Sequence, residues 1–362
     1  MSTGERIKQL EEELKNTKYN KSTQHHIGLV KAKLARLKEK LEKGSSKGAS
    51  KGFNVRRSGD ATVILVGYPS VGKSTLLNKL TNANSQIGDY DFTTLDVIPG
   101  IMEYNDAKIQ ILDVPGIVQG AASGKGRGKE VLSILNNADI ILILVDVFRN
   151  DVKAMMKELR DAKIRLNEKK PDVNIAKKAR GGIDVGSTVK LTKIDERMIK
   201  GILMEFSIHN ADVVIRQDVD VDQFIDVIES NRKYVKGIVV LNKIDLVVEK
   251  RLEELKNELK FDIAISADKG DGIEELKKII FNKLDFIRVY CKQVGKKADL
   301  KDPLIVKKSS SIEDVCIKLH KDFKRRFKYA RIWGGSVKFD GQQIRRLSHE
   351  LKDGDIIEIH VT

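Results

Sequence analysis

The feature that most constrains this chain is a glycine-framed motif that directly follows a continuous apolar segment. Ala61–Gly67 (ATVILVG) carries no charge, as expected of a strand buried on both faces of a parallel sheet. The motif GYPSVGKS (67–74) follows it, and Leu76, Leu77 and Leu80 then recur at helical spacing. A strand, a glycine loop and a helix in this order suit an anion, because backbone N–H groups and the helix N-terminus both present positive charge.

The same loop carries side chains that suit a nucleotide polyphosphate. In a G-x-x-x-x-G-K-[ST] pattern, the ammonium of Lys73 would reach the β- and γ-phosphates, and the hydroxyl of Ser74 would bind Mg²⁺. A purely structural glycine turn is the alternative, but the strand before the loop and the helix after it favour phosphate binding. The motif leaves the base of the nucleotide open.

Alternating strand and helix patterns predict the fold class. The strand candidates are Lys108–Asp113, Ile140–Asp146, Gly237–Leu241 and Phe261–Ser266, and the helix candidates between them include Val152–Leu166 and Ile273–Leu284. This alternation predicts an α/β fold with a doubly wound, mostly parallel sheet. About sixty residues before Gly237 interrupt it, and a stretch of this length predicts an inserted small α+β subdomain.

A second motif, NKID (242–245), identifies guanine as the expected base. It follows the predicted strand Gly237–Leu241 directly, and open α/β sheets bind ligands at the carboxyl ends of their strands. The Asp245 carboxylate can accept both the ring N–H and the exocyclic amine of guanine, whereas adenine offers no such pair of donors. Asn242 and the stem of Lys243 would hold the loop and flank the base. An ATP-using phosphate-loop enzyme is the alternative that Asp245 argues against.

Two loops between these motifs offer groups that can sense a γ-phosphate. DVPG (113–116) ends a predicted strand, so the Asp113 carboxylate would reach Mg²⁺ through water and the Gly116 N–H would contact the γ-phosphate. A loop upstream contains Thr93 and Thr94, and one of their hydroxyls would complete the Mg²⁺ shell only with the γ-phosphate present. Ordering and release of such a loop would make a nucleotide-dependent switch.

Positive charge is concentrated at the two ends of the chain. Of the 67 basic and 52 acidic residues, residues 1–60 hold 15 and 7, and residues 288–362 hold 18 and 10. Basic ends favour a polyanionic partner through phosphate contacts and counterion release; a Lys-rich surface that only maintains solubility is the alternative. The run Lys321–Arg331 interleaves cations with Phe323, Phe327 and Tyr329, which suits RNA binding unless these aromatics belong to the core.

Composition argues against several other classes of protein. No uncharged apolar run approaches the ~18 residues of a membrane span. The N-terminus has neither the apolar segment nor the cleavage site of a signal peptide. Cys291 and Cys316 are too few and too far apart for a disulfide framework or a structural zinc site. We therefore expect a cytoplasmic protein without a membrane partner.

Longer stretches around these motifs resemble one family of P-loop GTPases in the Obg-like branch, the developmentally regulated GTP-binding proteins (DRG). These stretches are GYPSVGKSTLLNKLT, DYDFTTLDVIPG, DVPGIVQGAASGKGRG and the insertion before the NKID strand. The resemblance covers essentially the whole chain. It implies an N-terminal helical hairpin and linker (1–60), a G domain in two parts (61–171 and 235–288), an inserted α+β subdomain (172–234) and a C-terminal β-grasp TGS domain (289–362).

Carried over to this chain, the resemblance also implies the site residues. Lys73, Thr94 and Gly116 would serve catalysis, with Thr93 as the fallback for Thr94. Ser74, Thr94 and Asp113 would bind Mg²⁺. The implied nucleotide-binding residues are Gly67, Tyr68, Pro69, Ser70, Val71, Gly72, Lys73, Ser74, Thr75, Asp113, Gly116, Asn242, Lys243, Asp245, Ser266 and Ala267.

One position departs from the pattern of many GTPases and bears on the rate of hydrolysis. Ile117 stands directly after DVPG, where many GTPases have a glutamine that orients the attacking water. We therefore expect slow intrinsic turnover. Related GTPases with this substitution can use K⁺, often with Asn in the phosphate loop; Ser70 stands there, which leaves the use of K⁺ open. Arg127, in a glycine-rich segment, is another candidate to complete the site.

Together the motifs predict a GTP-hydrolysing switch that docks to the ribosome or to RNA through its basic ends, in line with the family's association with translation. Bound GTP or GDP would control docking, and a regulatory partner protein could supply the missing catalytic function. No DNA partner is expected. The alternative is an RNA- or ribosome-binding module in which the nucleotide is structural and turnover is negligible.

Overall fold

A computed structural model describes residues 3–18, 20, 23–44, 59–81, 98–114 and 134–361. The chain divides into two units. One unit comprises residues 1–52 and 163–234, and the other comprises residues 53–162 and 235–362. Among the described residues, no helix combines the length and apolar character needed to cross a membrane.

The helices and strands are numbered here in chain order. The helices are α1 (Thr3–Asn16), α2 (Gln24–Gly44), α3 (Lys73–Leu80), α4 (Val152–Asp161), α5 (Glu196–Glu205), α6 (Val221–Glu229), α7 (Glu249–Glu258), α8 (Ile273–Leu284), α9 (Ile312–Leu319) and α10 (Lys321–Arg326). The strands are β1 (Ala61–Gly67), β2 (Ile98–Tyr104), β3 (Ala107–Asp113), β4 (Ile140–Asp146), β5 (Ile164–Leu166), β6 (Val173–Lys177), β7 (Ile183–Ser187), β8 (Ala211–Ile215), β9 (Lys233–Asn242), β10 (Ile263–Ala264), β11 (Phe286–Cys291), β12 (Leu304–Lys307), β13 (Phe327–Trp333), β14 (Gln342–Ile344) and β15 (Asp355–Val361).

The sheet that positions the site has the strand order β10-β9-β4-β1-β3-β2. Neighbouring strands in this order are parallel except β2 and β3, which are antiparallel, and β5 also pairs with β9. Every residue of β1 and of β4 is buried, which explains why both read as continuous apolar runs. The α/β class with a mostly parallel sheet is therefore confirmed. The carboxyl ends of β1, β3, β4 and β9 meet at one edge, directly beneath the predicted motifs.

Two predicted elements around this sheet have wrong boundaries, and one strand was not predicted. The helix expected over Val152–Leu166 ends at Asp161, because Lys163 adopts a left-handed backbone (φ 66°) and the chain continues as β5. The strand expected over Phe261–Ser266 is reduced to Ile263–Ala264. The edge strand β2 was not predicted; it contains Pro99, which an edge strand tolerates because one side of its backbone makes no ladder hydrogen bonds.

The C-terminal domain is a five-stranded sheet in the order β12-β11-β15-β13-β14, packed against α9. A capping box opens α9, in which Ser311 and Asp314 satisfy each other's backbone N–H groups. A turn with Gly354 at φ 84° precedes the last strand. The backbone of His320 is extended (φ −163°) and separates α9 from α10.

The other unit joins the N-terminal helices to the inserted segment. Its three-stranded sheet has the order β6-β8-β7, and α5 and α6 contribute the apolar side chains of its core. Ala32 of α2 is fully buried in that core. The Arg36 guanidinium also donates to the Glu205 carbonyl (2.6 Å), and the Lys31 ammonium pairs with Asp222 (2.7 Å). The predicted helical hairpin is thus present, but sequence patterns did not show that it shares a core with the insertion.

Candidate functional site

The loop between β1 and α3 is held in a conformation that requires its glycines. Gly72 has φ 95°, and a Cβ added there would lie 2.4 Å from Nδ2 of Asn242. A Cβ on Gly67 would lie 2.4 Å from the Leu144 carbonyl oxygen. Ser70 also has a left-handed backbone (φ 66°) although it is not glycine. Side chains are thus excluded at Gly67 and Gly72, and bare backbone at such positions is what a phosphate cradle needs.

Lys73 at the start of α3 points back across this loop. Its ammonium donates to the carbonyls of Gly67 (3.1 Å) and Tyr68 (3.0 Å). Burial lowers the pKa of Lys73, and the nearby Asp113 carboxylate opposes that shift. A half-buried ammonium that donates to two carbonyls gains from an incoming anion, because burial disfavours its charge and the anion stabilises it.

Asp113 at the end of β3 lies against the start of α3. The Ser74 hydroxyl donates to its Oδ2 (3.1 Å). Asp113 is 5% exposed, and its Oδ1 is buried without a hydrogen-bond partner among the described residues. A buried carboxylate oxygen normally has a partner, and the oxygens of Ser74 and Asp113 are the hard donors that Mg²⁺ prefers. The residues present therefore fit that ion.

Asn242 joins the phosphate loop to the base motif. Its Nδ2 donates to the Val71 carbonyl (2.9 Å), and its Oδ1 accepts from the Ala267 backbone N–H (2.9 Å). The side chain is 2% exposed, so both bonds lie in the protein interior. Segments that are 171 and 25 residues away along the chain thus meet at one amide.

Asp245 follows in a short 3₁₀ turn, Ile244–Leu246, next to Ser266. A hydrogen bond from the Ser266 side chain is the main cause that lowers the pKa of Asp245. Ser266 itself is fully buried, and its hydroxyl accepts from the Lys269 backbone N–H (3.2 Å). Asp245 is partly exposed at the same edge of the sheet, and its carboxylate has a lowered pKa there.

Sequence reasoning assigned no role to Asp146, which ends β4 beside Asn242. Its Oδ2 accepts from the Lys243 ammonium (2.7 Å), and the side chain is 4% exposed. An acidic residue at the end of a fully apolar strand is the sequence pattern that indicates Asp146. Asp113 holds the same position at the end of β3, so the pattern that drew attention to Asp113 also applies to Asp146.

The structure brings together the predicted residues that it describes. Pro69, Val71 and Tyr68 form the loop, with the Pro69 carbonyl accepting from Arg149 (3.5 Å). Thr75 is exposed on α3. The expectations for Thr93, Thr94, Gly116, Ile117 and Arg127 lie outside the described residues.

The basic run near the C-terminus separates its cations from its aromatics. Lys324, Arg325, Arg326, Lys328 and Arg331 are exposed. Phe323 and Phe327 pack against the domain core, and Tyr329 stacks on His360 with ring centroids 4.2 Å apart. Phe323 and Phe327 therefore belong to the core, as the alternative in the sequence analysis allowed. The surface of this run presents mainly positive charge.

Three family profiles match consecutive parts of the chain. Residues 62–178 match a profile described as 50S ribosome-binding GTPase. Residues 180–286 match the C-terminal region of the same domain, and residues 287–361 match the TGS domain. The matches together span the chain from the first strand of the central sheet to the last strand of the C-terminal domain.

Three relatives match the chain over nearly its whole length. An uncharacterized GTP-binding protein of Methanocaldococcus jannaschii is 54% identical over 99% of this chain and 93% of its own. Developmentally-regulated G-protein 3 of Arabidopsis thaliana is 44% identical over 98% of both chains. Developmentally-regulated GTP-binding protein 2 of Homo sapiens is 40% identical, also over 98% of both chains.

Proposed function

Because the chain belongs to the developmentally regulated GTP-binding protein family, we propose that it binds GTP across the edge of its central sheet and hydrolyses it to GDP and phosphate. The observation that carries the proposal is the Asn242 amide, which hydrogen-bonds to both Val71 of the phosphate loop and Ala267 behind the base motif. One side chain thus fixes the spacing between a polyphosphate site and a base site.

At the base end, Asp245 would read guanine. The Ser266 hydrogen bond orients its carboxylate and keeps it charged, so it can accept the ring N–H and the exocyclic amine together. The stem of Lys243 would flank the base, while Asn242 and Ala267 back it. Adenine would leave this carboxylate unpaired, which makes guanine the preferred base.

At the phosphate end, Lys73 would turn from its loop carbonyls to the β- and γ-phosphates. The N–H groups of residues 70–75 would face the phosphate oxygens. Ser74 and Asp113 would hold Mg²⁺, with Thr94 (or Thr93) and Gly116 completing the γ-phosphate side. The ion would neutralise charge that builds up on the phosphates. This chain's own contribution is to place those phosphates and to present the Ser74 hydroxyl and the Asp113 carboxylate to the ion.

Turnover would be slow without help, because Ile117 cannot orient the attacking water. K⁺ beside the phosphate loop, Arg127, or a regulatory partner protein would supply the missing function. Turnover measured in K⁺ and in Na⁺, with and without ribosomes, distinguishes these sources. It also tests the alternative module with a structural nucleotide, which predicts no loss of GTP under any condition.

The nucleotide state would control docking to a ribosome or to RNA through the basic ends of the chain. Five exposed cations on α10 and β13 support this, since phosphate contacts need accessible charge rather than free aromatic faces. The description of the matched GTPase profile as ribosome-binding points to the same partner. Docking would then couple nucleotide hydrolysis to translation.

Equilibrium binding of GTP, GDP and ATP to the purified chain is the decisive test of nucleotide choice. Tight binding of GTP and GDP with much weaker binding of ATP is expected, because the base contacts at Asp245 favour guanine. Equal affinity for ATP would overturn the assignment of the base site. No binding of any of the three would overturn the proposed function as a whole.

A further inference from the structure

Asp146 is locked in place by the turn that follows β4. Its Oδ1 accepts from the backbone N–H of Phe148 (2.9 Å) and of Arg149 (2.6 Å). The Asp146 N–H in turn donates to the Arg149 carbonyl (3.2 Å). The residue is 3% exposed. The turn therefore fixes the direction in which the second carboxylate oxygen points, before any ligand is considered.

That second oxygen meets the ammonium of Lys243. The ammonium donates to Oδ2 of Asp146 (2.7 Å) and also to the Ser70 carbonyl of the phosphate loop (2.7 Å). Burial alone would raise the pKa of Asp146, but the hydrogen bonds from Lys243 and from the turn outweigh it, and the net pKa is lowered. The carboxylate is thus ionised at neutral pH, and one ammonium joins three separate loops.

Lys243 and the residue whose carbonyl accepts from it, Ser70, both have strained backbones. Ser70 has φ 66° and Lys243 has φ 62°, a region that side chains other than glycine enter at a cost. A long lysine side chain also loses rotamer entropy when it is held in one position. The ion pair with Asp146 offsets the cost of the strained backbones and of the lost side-chain entropy. The conformation of the phosphate loop is therefore stabilised by side chains of the protein itself.

We propose that Asp146 is a positioning residue for the nucleotide, holding Lys243 against Ser70 so that the phosphate loop and the base motif are arranged together before the ligand arrives. The inference rests on the proposed function, because it assigns Asp146 to the same site. It adds a residue that would act through Lys243 and not on the nucleotide itself. Preorganisation of this kind raises affinity by lowering the cost of ordering.

The test is a double-mutant cycle in the full-length chain. Asp146→Ala should weaken both GDP and GTP binding by roughly ten- to hundredfold, the worth of one charge-assisted hydrogen bond, and should speed nucleotide dissociation. The single-turnover rate at saturating GTP should stay near that of the unaltered chain, because Asp146 does not touch the phosphates. The Asp146→Ala, Lys243→Ala double variant should bind no more weakly than Lys243→Ala alone.

Asp139 provides a matched control, because it lies just before the opposite end of the same strand. Its Oδ2 accepts from the Thr62 N–H (3.1 Å) and its Oδ1 pairs with Lys307 (2.9 Å). Asp139→Asn should lower the melting temperature without changing nucleotide affinity. Should Asp146→Ala fail to melt cooperatively, Asp146→Asn serves instead: it keeps an acceptor for the Phe148 and Arg149 N–H groups and removes only the charge.

Each outcome decides the inference. Full affinity in both Asp146 variants, or strictly additive losses in the cycle, would overturn it while leaving the proposed function intact. An unaltered chain that binds no guanine nucleotide would overturn the proposed function and this inference with it. Coupled losses of affinity with unchanged single-turnover rates support it.

Discussion

The hydroxyl of Ser74 lies 3.1 Å from Oδ2 of Asp113, and Oδ1 of the same carboxylate is buried with no hydrogen-bond partner among the described residues. Two residues from different elements thus present oxygen donors toward one point at the phosphate end of the site. A buried anionic oxygen without a partner costs free energy, and a bound cation would offset that cost.

Asp113→Asn should therefore raise the Mg²⁺ concentration that is needed to support GTP binding. Because Asp113 would act on the ion through water, we expect metal affinity to fall by about 10- to 100-fold, as is usual for such outer partners. Titrating Mg²⁺ against GTP binding in a chelator-buffered solution measures it. Asp139→Asn, just before the start of β4 and at the far side of the sheet from the motifs, is the control. An unchanged Mg²⁺ midpoint for Asp113→Asn would contradict the assignment.

Asp245→Asn should exchange the preferred base. Xanthine has a carbonyl oxygen where guanine has its exocyclic amine, and an amide N–H can donate to that oxygen. We expect GTP affinity to fall by roughly 10- to 100-fold, the cost of removing one charged hydrogen bond, and xanthosine triphosphate to bind better than GTP. Competition binding measures both. The control is Asp268→Asn, which changes an exposed neighbour and should leave the base preference unchanged. An unchanged preference in Asp245→Asn would mean that the base binds elsewhere.

The stability of the unit that contains the insertion should depend on the buried carboxylate of Asp226. It accepts from Nε and Nη2 of Arg165 (2.6 and 2.7 Å) and from Nε of Arg232 (2.7 Å), and the Asp226 side chain is 4% exposed. Asp226→Ala removes the buried carboxylate that Arg165 and Arg232 share, although Arg232 also pairs with Glu229, so we expect the free energy of unfolding to fall by about 3–5 kcal/mol.

Asp222→Ala on the same helix is its matched control. Asp222 pairs with Lys31 at the surface and is 50% exposed, so its removal should cost less than ~1 kcal/mol. Urea unfolding followed by far-UV circular dichroism compares the two. Equal destabilisation by both variants would show that the buried network adds nothing beyond a surface pair.

The C-terminal domain should become less stable at low pH through Glu358. Burial alone would raise the pKa of Glu358, but its bonds to Lys292 and His360 lower it overall. A carboxyl group whose pKa is lower in the folded state stabilises the fold above its unfolded pKa of about 4.3, and this stability is lost as the pH falls through the folded value. Urea unfolding at a series of acidic pH values should show a shallower pH dependence for Glu358→Gln. Identical slopes would exclude the role.

Local patterns predicted most of the site, because each motif is written in consecutive residues. The strand Ala61–Gly67, the glycine loop and the helix after it need only their own sequence. Likewise Asn242 sits where a strand ends, and strand ends in a parallel sheet share one edge. What the patterns could not supply is which groups touch across that edge, such as Asn242 with Val71 or Asp146 with Lys243.

The misses have the same physical origin. The helix expected beyond Asp161 has helical periodicity, but the backbone of Lys163 turns left-handed and the next residues pair as a strand instead. Ala32 of the N-terminal hairpin is buried by residues more than 150 positions away. Local sequence spacing indicates neither feature, so both became visible only in the three-dimensional structure.

The exposed cations of the C-terminal domain should set the salt dependence of RNA or ribosome binding. Replacing Arg325, Lys328 and Arg331 by glutamine removes three charges from a surface whose aromatics are largely committed to the core. For every phosphate that the variant no longer neutralises, the slope of log affinity against log salt should become shallower by about 0.7–0.9. The matched control replaces Lys153, Lys157 and Lys250, which are exposed on the GTPase domain, and removes the same net charge. Equal changes in both triple variants would mean that net charge alone, and not this surface, attracts the polyanion.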